Sequence, residues 1–528
     1  MLFNSYEFIA VFLPITMGLF ALVRHVPRAG IFVLVFSSIA FYTYWDYTNL
    51  PIILVSILTN FVIGMFIANA VAGGHKSRSK WLLALGVTLN LTALAYFKYA
   101  EFLTGIAADA FATELAIPIV PLPIGISFFT FTQIAFLVDA QRGLAREYRL
   151  PDYGLFVTWF PHLIAGPILH HREMMPQFRD KDALRIRWHN LAIGFAVFTM
   201  GLVKKVILAD GVAQYVVSTN PLSPFLHAET GIAVTFISGW SGALAYTLQL
   251  YFDFSAYSDM AIGLSFLFGI RLPVNFNSPY KSANISEFWR RWHITLSRFL
   301  RDYLYISLGG NRRGPVRRYF NLFITMVLGG LWHGAGWTFI IWGAMHGAFL
   351  IVYHAFSALM TRAFGDRNRN GVLRRLAGIA LTFLVVVVAW VMFRAPSLEA
   401  AMEIYRGMAG MNGLGLIPDD RAYLGPIFDL MVGLGIDVVY SPRNPLFPMW
   451  LWIGGLLAIA FFMPNTQEIM AKYPAALPET DEAGQAGGEP AGLLTWRPNA
   501  VWGVVLAVAF VIVLARLDQP SEFLYFQF

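Results

Sequence analysis

Two histidines, His333 and His346, stand in the stretch LGGLWHGAGWTFIIWGAMHG (328–347), which holds no Asp, Glu, Lys or Arg. The nearest formal charges are Arg318 before it and Arg362 after it. A buried neutral imidazole needs one donor and one acceptor partner. It is also the side chain best suited to take a proton from a hydroxyl near neutral pH. A lone His on an apolar stripe is most simply a hydrogen-bonded core residue. His333 has a different setting: Trp332 and Gly334 flank it, and Gly329, Gly330 and Gly336 lie close by. Glycines admit close approach of a backbone or a substrate, and Gly330-xxx-Gly334 suits tight helix packing. Two readings stay open, a satisfied core histidine and a general base in a narrow, dry channel.

Two further groups could carry chemistry. The stretch LQLYFDFSAYSDMAIG (248–263) sets Asp253 and Asp259 after an uncharged run, among Gln249, Tyr251, Ser255, Tyr257 and Ser258. Carboxylates at bilayer depth are costly and need donors, which some of these neighbours are expected to supply. The alternatives are hydrogen bonding between spans and the wall of a polar tunnel. The segment 271–318 has ten Lys/Arg against two acids, Glu287 and Asp302. Within it, NISEFWRRWHITLSRFLRDYLYI (284–306) is expected to be one amphipathic helix with Asn284 as N-cap and Glu287 completing a capping box. Ile285, Trp289, Trp292, Leu296, Phe299, Leu300 and Tyr303 share one face, and Arg290, Arg291, Arg298 and Arg301 lie opposite. That pattern suits a helix in the membrane interface. Ile294 falls on the polar side, and His293 sits at the boundary, able to point inward. The arginines either anchor orientation or attract an anionic donor such as coenzyme A or an acidic carrier protein.

Other chemistries lack their signatures. There is no GxSxG elbow, HExxH pair or phosphate-binding GxxxxGK[ST] loop, and His170 and His171 have no metal-ligand spacing. No bound metal and no nucleic-acid partner are expected. The absence of cysteine excludes disulfides, thiolate zinc sites and a Cys acyl-enzyme.

The elements that must position these groups follow from composition. Of 528 residues 57% are hydrophobic and 13% charged, about half the charge of a soluble domain. Uncharged runs long enough to span recur from residues 8–23 to 498–515, so an all-α polytopic membrane protein with about eleven to thirteen hydrophobic helices is expected. The run 319–361 is too long for one helix and is expected to break near Gly334–Gly336, which puts His346 on the next helix in a supporting or packing role. The run 155–171 contains Pro161, Gly166 and Pro167 and reads as a re-entrant or broken segment, buried in protein or lining a cavity. Arg24 and Arg28 follow the first span, and Lys76, Arg78 and Lys80 the third. The positive-inside rule then places these loops in the cytoplasm and the N-terminus outside, with the first apolar run a retained helix. Ser397 is expected to cap a short helix (SLEAAMEIYRGM), and residues 474–495 to form a flexible acidic loop. The chain reads as one multi-pass domain over 1–528, with core motifs in 122–347.

Taken together, several stretches resemble the membrane-bound O-acyltransferase family, above all its bacterial alginate O-acetyltransferase branch. They are LPIGISFFTFTQIAFLVD (122–139), FPHLIAGPI (160–168), LQLYFDFSAYSDMAIG (248–263), NFNSPYKSANISEFWRRWHITLSRFLRDYLYI (275–306), GGNR (309–312), LGGLWHGAGWTFIIWGAMHG (328–347) and FRA (393–395). The resemblance covers most of 1–395. It implies helices ringed around a central tunnel that joins the two membrane faces, with re-entrant and interfacial helices and the acyl donor arriving from the cytoplasm; acetyl-CoA is the expected donor, with a carrier protein as the alternative. His333 matches the family's near-invariant histidine and is implied to activate the acceptor hydroxyl. His293, in the W-H-x-x-L-S stretch, is implied to line the cytoplasmic entrance and to orient or polarise the thioester. Trp332, Asp253, Tyr251, Tyr257, Asp259, Asn277 and Trp289 are expected to line the tunnel or bound substrates, and Arg290, Arg291 and Arg298 to attract donor phosphates.

The resemblance further implies transfer to a cell-surface polysaccharide, alginate before others, through a periplasmic partner with a serine nucleophile, at the bacterial inner membrane. Cellulose, peptidoglycan and, with D-alanine, teichoic acid are alternative acceptors. A solute transporter and an export-complex scaffold are the competing non-enzymatic readings. Inverted repeats, which many transporters have, are not evident in the sequence.

Overall fold

A computed structural model describes residues 1–23, 25–111, 120–147, 149–180, 184–216, 223–365, 371–416, 418–438, 446–477, 491–518 and 524. The secondary structure is helical, and no named β-strand occurs among the described residues. The N-terminal third comprises α1 (Leu13–Leu22), α2 (Pro27–Thr43), α3 (Leu50–Ala72), α4 (Lys76–Leu94), α5 (Ala100–Phe111), α6 (Ile126–Gln141), α7 (Leu150–Thr158), α8 (Phe160–Leu163) and α9 (His171–Arg179). The middle comprises α10 (Trp188–Val203), α11 (Asp210–Ala213), α12 (Pro224–Thr230), α13 (Phe236–Leu267), α14 (Ile285–Arg291), α15 (Ile294–Phe299), α16 (Gly314–His333) and α17 (Trp337–Phe364). The C-terminal part adds α18 (Val372–Arg394), α19 (Leu398–Met408), α20 (Arg421–Leu424), α21 (Pro426–Gly433), α22 (Leu446–Phe462), α23 (Thr466–Ile469) and α24 (Ala500–Leu514).

Five helical stretches are long and apolar enough to cross a membrane: Tyr47–Ala72, Lys76–Phe111, Trp188–Ala213, Trp337–Ala363 and Val372–Arg394. Shorter apolar helices lie at Glu7–Leu22, Arg28–Thr43, Phe447–Phe462 and Ala500–Leu514. They leave large side chains such as Phe36, Val352 and Val504 exposed, as hydrocarbon rather than water requires. The protein is a multi-pass helical membrane protein.

The interior is organised by helix pairs that approach at glycines. In α10 and α13, a Cβ on Gly201 would sit 2.9 Å from the Ala256 carbonyl oxygen, and one on Gly263 2.6 Å from the Phe198 nitrogen. The pair α16 and α17 is closer: a Cβ on Gly330 would collide with the Phe339 carbonyl oxygen, and one on Gly343 with the Met326 carbonyl oxygen. Side chains at these sites would push backbones apart. Gly343→Val is therefore expected to lower stability by about 1–3 kcal/mol, read as a fall in the thermal unfolding midpoint of the purified protein in detergent.

Several elements follow the sequence reading. The long run breaks at Gly334–Gly336, and His346 lies on α17. Residues 155–171 form a broken segment, α7 then α8 then coil, buried throughout. Ser397 caps α19 by accepting from Ala400 N–H at 3.1 Å. Residues 478–490 of the expected flexible loop, and all but Leu524 of the C-terminal peptide 521–528, lie outside the described residues.

The expected single helix over 284–306 is instead interrupted. Asn284 does cap its start, accepting from Glu287 N–H at 2.9 Å, but Glu287 answers to Ala283 N–H at 3.0 Å instead of the cap's own. α14 stops at Arg291, His293 takes a left-handed backbone (φ 43), and α15 begins at Ile294. In one continuous helix Trp292 and His293 would point about 100° apart. The break lets both be buried, at 3% and 1% exposure. The Ile294 N–H bonds the Asn275 carbonyl at 3.0 Å across it. The apolar face is covered by protein: Trp292 packs on Trp390 and Phe299 on Phe131, with ring centroids 5.0 and 4.3 Å apart.

Candidate active site

His333 is the last residue of α16, buried within the protein. Its ring meets Trp332, Trp342 and Phe393, with centroids 4.8, 5.3 and 5.3 Å away. Trp332 is fixed in turn by α6: it stacks on Phe131 at 5.1 Å and meets Phe128 edge-on at 5.4 Å. His293 also lies beside Trp332, with ring centroids 6.3 Å apart. His293, Lys98 and His346 are all close enough to act electrostatically on the His333 ring. The pair singled out from the sequence, His333 and His293, thus packs against one tryptophan, although 40 residues separate them in the chain.

The orientation of His293 is set by an amide. Its Nδ1 lies 3.0 Å from Oδ1 of Asn275, and the same oxygen accepts from Thr295 N–H at 3.2 Å and from the Thr295 hydroxyl at 2.9 Å. A backbone N–H can only donate, so this atom is the amide oxygen, and Nδ1 of His293 must carry the proton facing it. Nε2 of the neutral ring is then an acceptor. Phe254 closes the far side, edge-on to His293 at 4.8 Å.

His346 reaches the same cluster from α17. Its ring lies 4.8 Å from Trp342 and 5.1 Å from Trp289, so Trp342 packs against both His333 and His346. Trp289, expected near substrate, is therefore part of this aromatic wall. Tyr251 belongs to its extension, packed on Tyr280 at 5.1 Å and Phe276 at 6.3 Å.

The remaining tunnel candidates have partners of their own. Asp253 pairs with Lys205 at 2.7 Å, and Asp259 with Lys204 at 2.6 Å and the Thr466 hydroxyl at 2.6 Å. The donors expected from neighbouring residues on α13 come instead from the π turn Lys204–Ala209 that follows α10. The reason is geometric: Ser255 bonds its own helix, to the Phe252 carbonyl, while two consecutive lysines face the two carboxylates. Tyr257 stacks on Phe3 at 4.8 Å. Asn277 accepts from the Asn465 side chain at 3.0 Å. Of the three arginines, Arg291 pairs with Glu287 at 2.9 Å and Arg298 with Glu173 at 2.8 Å. Arg290 is exposed and makes no ion pair among the described residues.

Sequence reasoning missed Lys98 and Tyr99. They lie on a π turn, Ala95–Tyr99, between α4 and α5. Lys98 Nζ donates to the Trp332 carbonyl at 2.6 Å and the His333 carbonyl at 3.0 Å, and the Tyr99 hydroxyl to the Leu331 carbonyl at 2.7 Å. A lysine inside an otherwise uncharged stretch was the available signal.

The fold and site are those of a polytopic helical membrane protein with a buried histidine pair inside an aromatic cluster. Comparison with known proteins makes the class specific. The family model of the membrane-bound O-acyltransferases matches residues 36–391, and the chain belongs to that family. It is 42% identical over 536 residues to the probable alginate O-acetylase of Pseudomonas putida, covering 100% of both chains. It is 39% identical over 531 residues to the probable alginate O-acetylase of Pseudomonas aeruginosa, covering 99% of this chain and 93% of that one. With the peptidoglycan O-acetyltransferase of Helicobacter pylori it shares 36% identity over 561 residues, covering 100% of this chain and 98% of the relative. The protein is a membrane-bound O-acyltransferase.

Proposed function

We propose that the protein takes an acetyl group from acetyl-CoA on the cytoplasmic side and passes it, through a tunnel between the membrane faces, toward a cell-surface polysaccharide. The observation that carries this reading is the burial of His333 and His293 against the same indole, Trp332, walled by aromatic rings. In the transfer, Nε2 or Nδ1 of neutral His333 takes the proton of an acceptor hydroxyl. The hydroxyl oxygen attacks the thioester carbonyl, and collapse of the tetrahedral intermediate breaks the carbon–sulfur bond. The leaving thiolate takes the proton held by His333, which returns the imidazole to its neutral form. The dry surroundings keep water from competing for the acyl group. Neutral His293, with its Nδ1 proton committed to Asn275, orients the donor by accepting a hydrogen bond. Polarising the carbonyl would require the doubly protonated ring. Arg290, exposed near the end of α14, attracts the donor's phosphates, and Arg291 and Arg298 add to the local positive field.

The chain sits in the bacterial inner membrane with its N-terminus in the periplasm, and a periplasmic serine-nucleophile partner completes the transfer. Alginate is the acceptor favoured by the relatives named above, and peptidoglycan is the second reading, carried by the Helicobacter pylori relative that matches the whole chain. Mass analysis of ester-linked acetyl on surface polymers, from cells with and without the gene, decides between them. Loss of acetyl from an exopolysaccharide supports the first reading, and loss from peptidoglycan alone replaces it with the second. Unchanged acetylation of every polymer contradicts both.

A further inference from the structure

Resting on the reading of His333 as the base, we propose that Lys98 is a positioning residue for acyl transfer: its ammonium locks the two peptide groups that flank the His333 Cα. The last carbonyls of a helix have no partner within it. In α16 they are taken by two consecutive side chains from one π turn. The Tyr99 hydroxyl holds Leu331, and Lys98 Nζ holds Trp332 at 2.6 Å and His333 at 3.0 Å. The third Lys98 donor meets the Ser127 hydroxyl at 3.3 Å. Three N–H groups thus find three acceptors, and among the described residues no carboxylate pairs with this lysine.

The arrangement does more than end a helix. The chain leaves α16 directly after His333, with Gly334 already extended (φ −156, ψ 149). The carbonyls of 332 and 333 lie on either side of the His333 Cα, so fixing both fixes where its side chain starts. A neutral cap such as Tyr99 reaches one carbonyl, whereas one ammonium reaches two and Ser127. A cation at a helix C-terminus is also favoured by the macrodipole, which offsets the cost of burying it. π turns are often found at functional sites, and here the turn belongs to a helix 234 residues away in sequence from Trp332.

The test uses the full chain in lipid nanodiscs, with labelled acetyl-CoA and an acceptor, comparing wild type, Lys98→Met, Lys98→Arg, Tyr99→Phe and, as control, His333→Gln. Lys98→Met is expected to lower kcat by about 100-fold, the scale of a misplacement of about 1 Å, with KM for the donor unchanged. Lys98→Arg, which keeps the charge and several donors, is expected to recover most of the loss, and Tyr99→Phe to lose less than Lys98→Met. Wild-type kcat in Lys98→Met overturns the proposal. If Lys98→Met does not fold, Lys98→Gln, which keeps an N–H donor but neither the charge nor the reach to both carbonyls, decides: a loss of kcat at constant donor KM that Lys98→Arg restores supports the proposal, and wild-type kcat in Lys98→Gln overturns it. An active His333→Gln control refutes the reading of His333 instead. An inactive control beside a fully active Lys98→Met refutes only the role of Lys98.

Discussion

His333→Gln is expected to lower the turnover of acyl transfer by about 10²–10⁴-fold, the usual contribution of a positioned general base, while leaving donor affinity close to wild type. Glutamine keeps hydrogen-bonding capacity but cannot take up a proton at neutral pH. The aromatic walls of Trp332, Trp342 and Phe393 and the backbone cap from Lys98 do not depend on the imidazole. Binding and chemistry should therefore separate: single-turnover kinetics lose the acyl-transfer step, and equilibrium binding of acetyl-CoA persists. A loss confined to KM would instead mean that His333 binds substrate equally in ground and transition states.

The second large effect concerns stability. Lys205 is 2% exposed and pairs with Asp253, itself 1% exposed, and with Asp210. Removing one partner of a buried pair leaves an uncompensated charge and costs about 3–5 kcal/mol. Lys205→Met is expected to lose that much, seen as a large fall in the unfolding midpoint or as failure to accumulate in the membrane. Replacing a buried pair by apolar residues is often neutral, and Asp210, which also loses its lysine, is the more exposed carboxylate at 12%, so adding Asp253→Leu to Lys205→Met should recover part of the loss. The double variant also decides what Asp253 does. If Asp253 serves to tie the π turn after α10 to α13, the stabilised double variant keeps its activity. If Asp253 contacts substrate on the path, stability returns and turnover does not.

How far the molecule could be read from its sequence depended on the range of the interactions. Local rules held where one segment decides the outcome. Ser397 caps α19, Asn284 caps α14, and the glycines at 334 and 336 separate α16 from α17. Rules of periodicity failed at Trp292–His293, because a tertiary hydrogen bond to Asn275 and the burial of both rings override the helical pattern. The partners of Asp253 and Asp259 were illegible for the same reason: the two lysines lie on another helix, 48 and 55 residues away. Lys98 was hardest to read, since its acceptors are backbone carbonyls, which carry no residue identity. The histidine pair was legible only because motif resemblance joined two segments that periodicity treats separately.

The most direct measurement is label transfer by the purified chain in sealed proteoliposomes. Labelled acetyl-CoA is supplied on the face of the positively charged loops, with acceptor polysaccharide and its serine-nucleophile partner on the other. The account predicts label appearing on the acceptor as an ester, dependent on His333 and at the expense of acetyl-CoA. Label that reaches the acceptor equally well with His333→Gln, or acetyl-CoA that stays intact beside active wild-type protein and a competent partner, would contradict it.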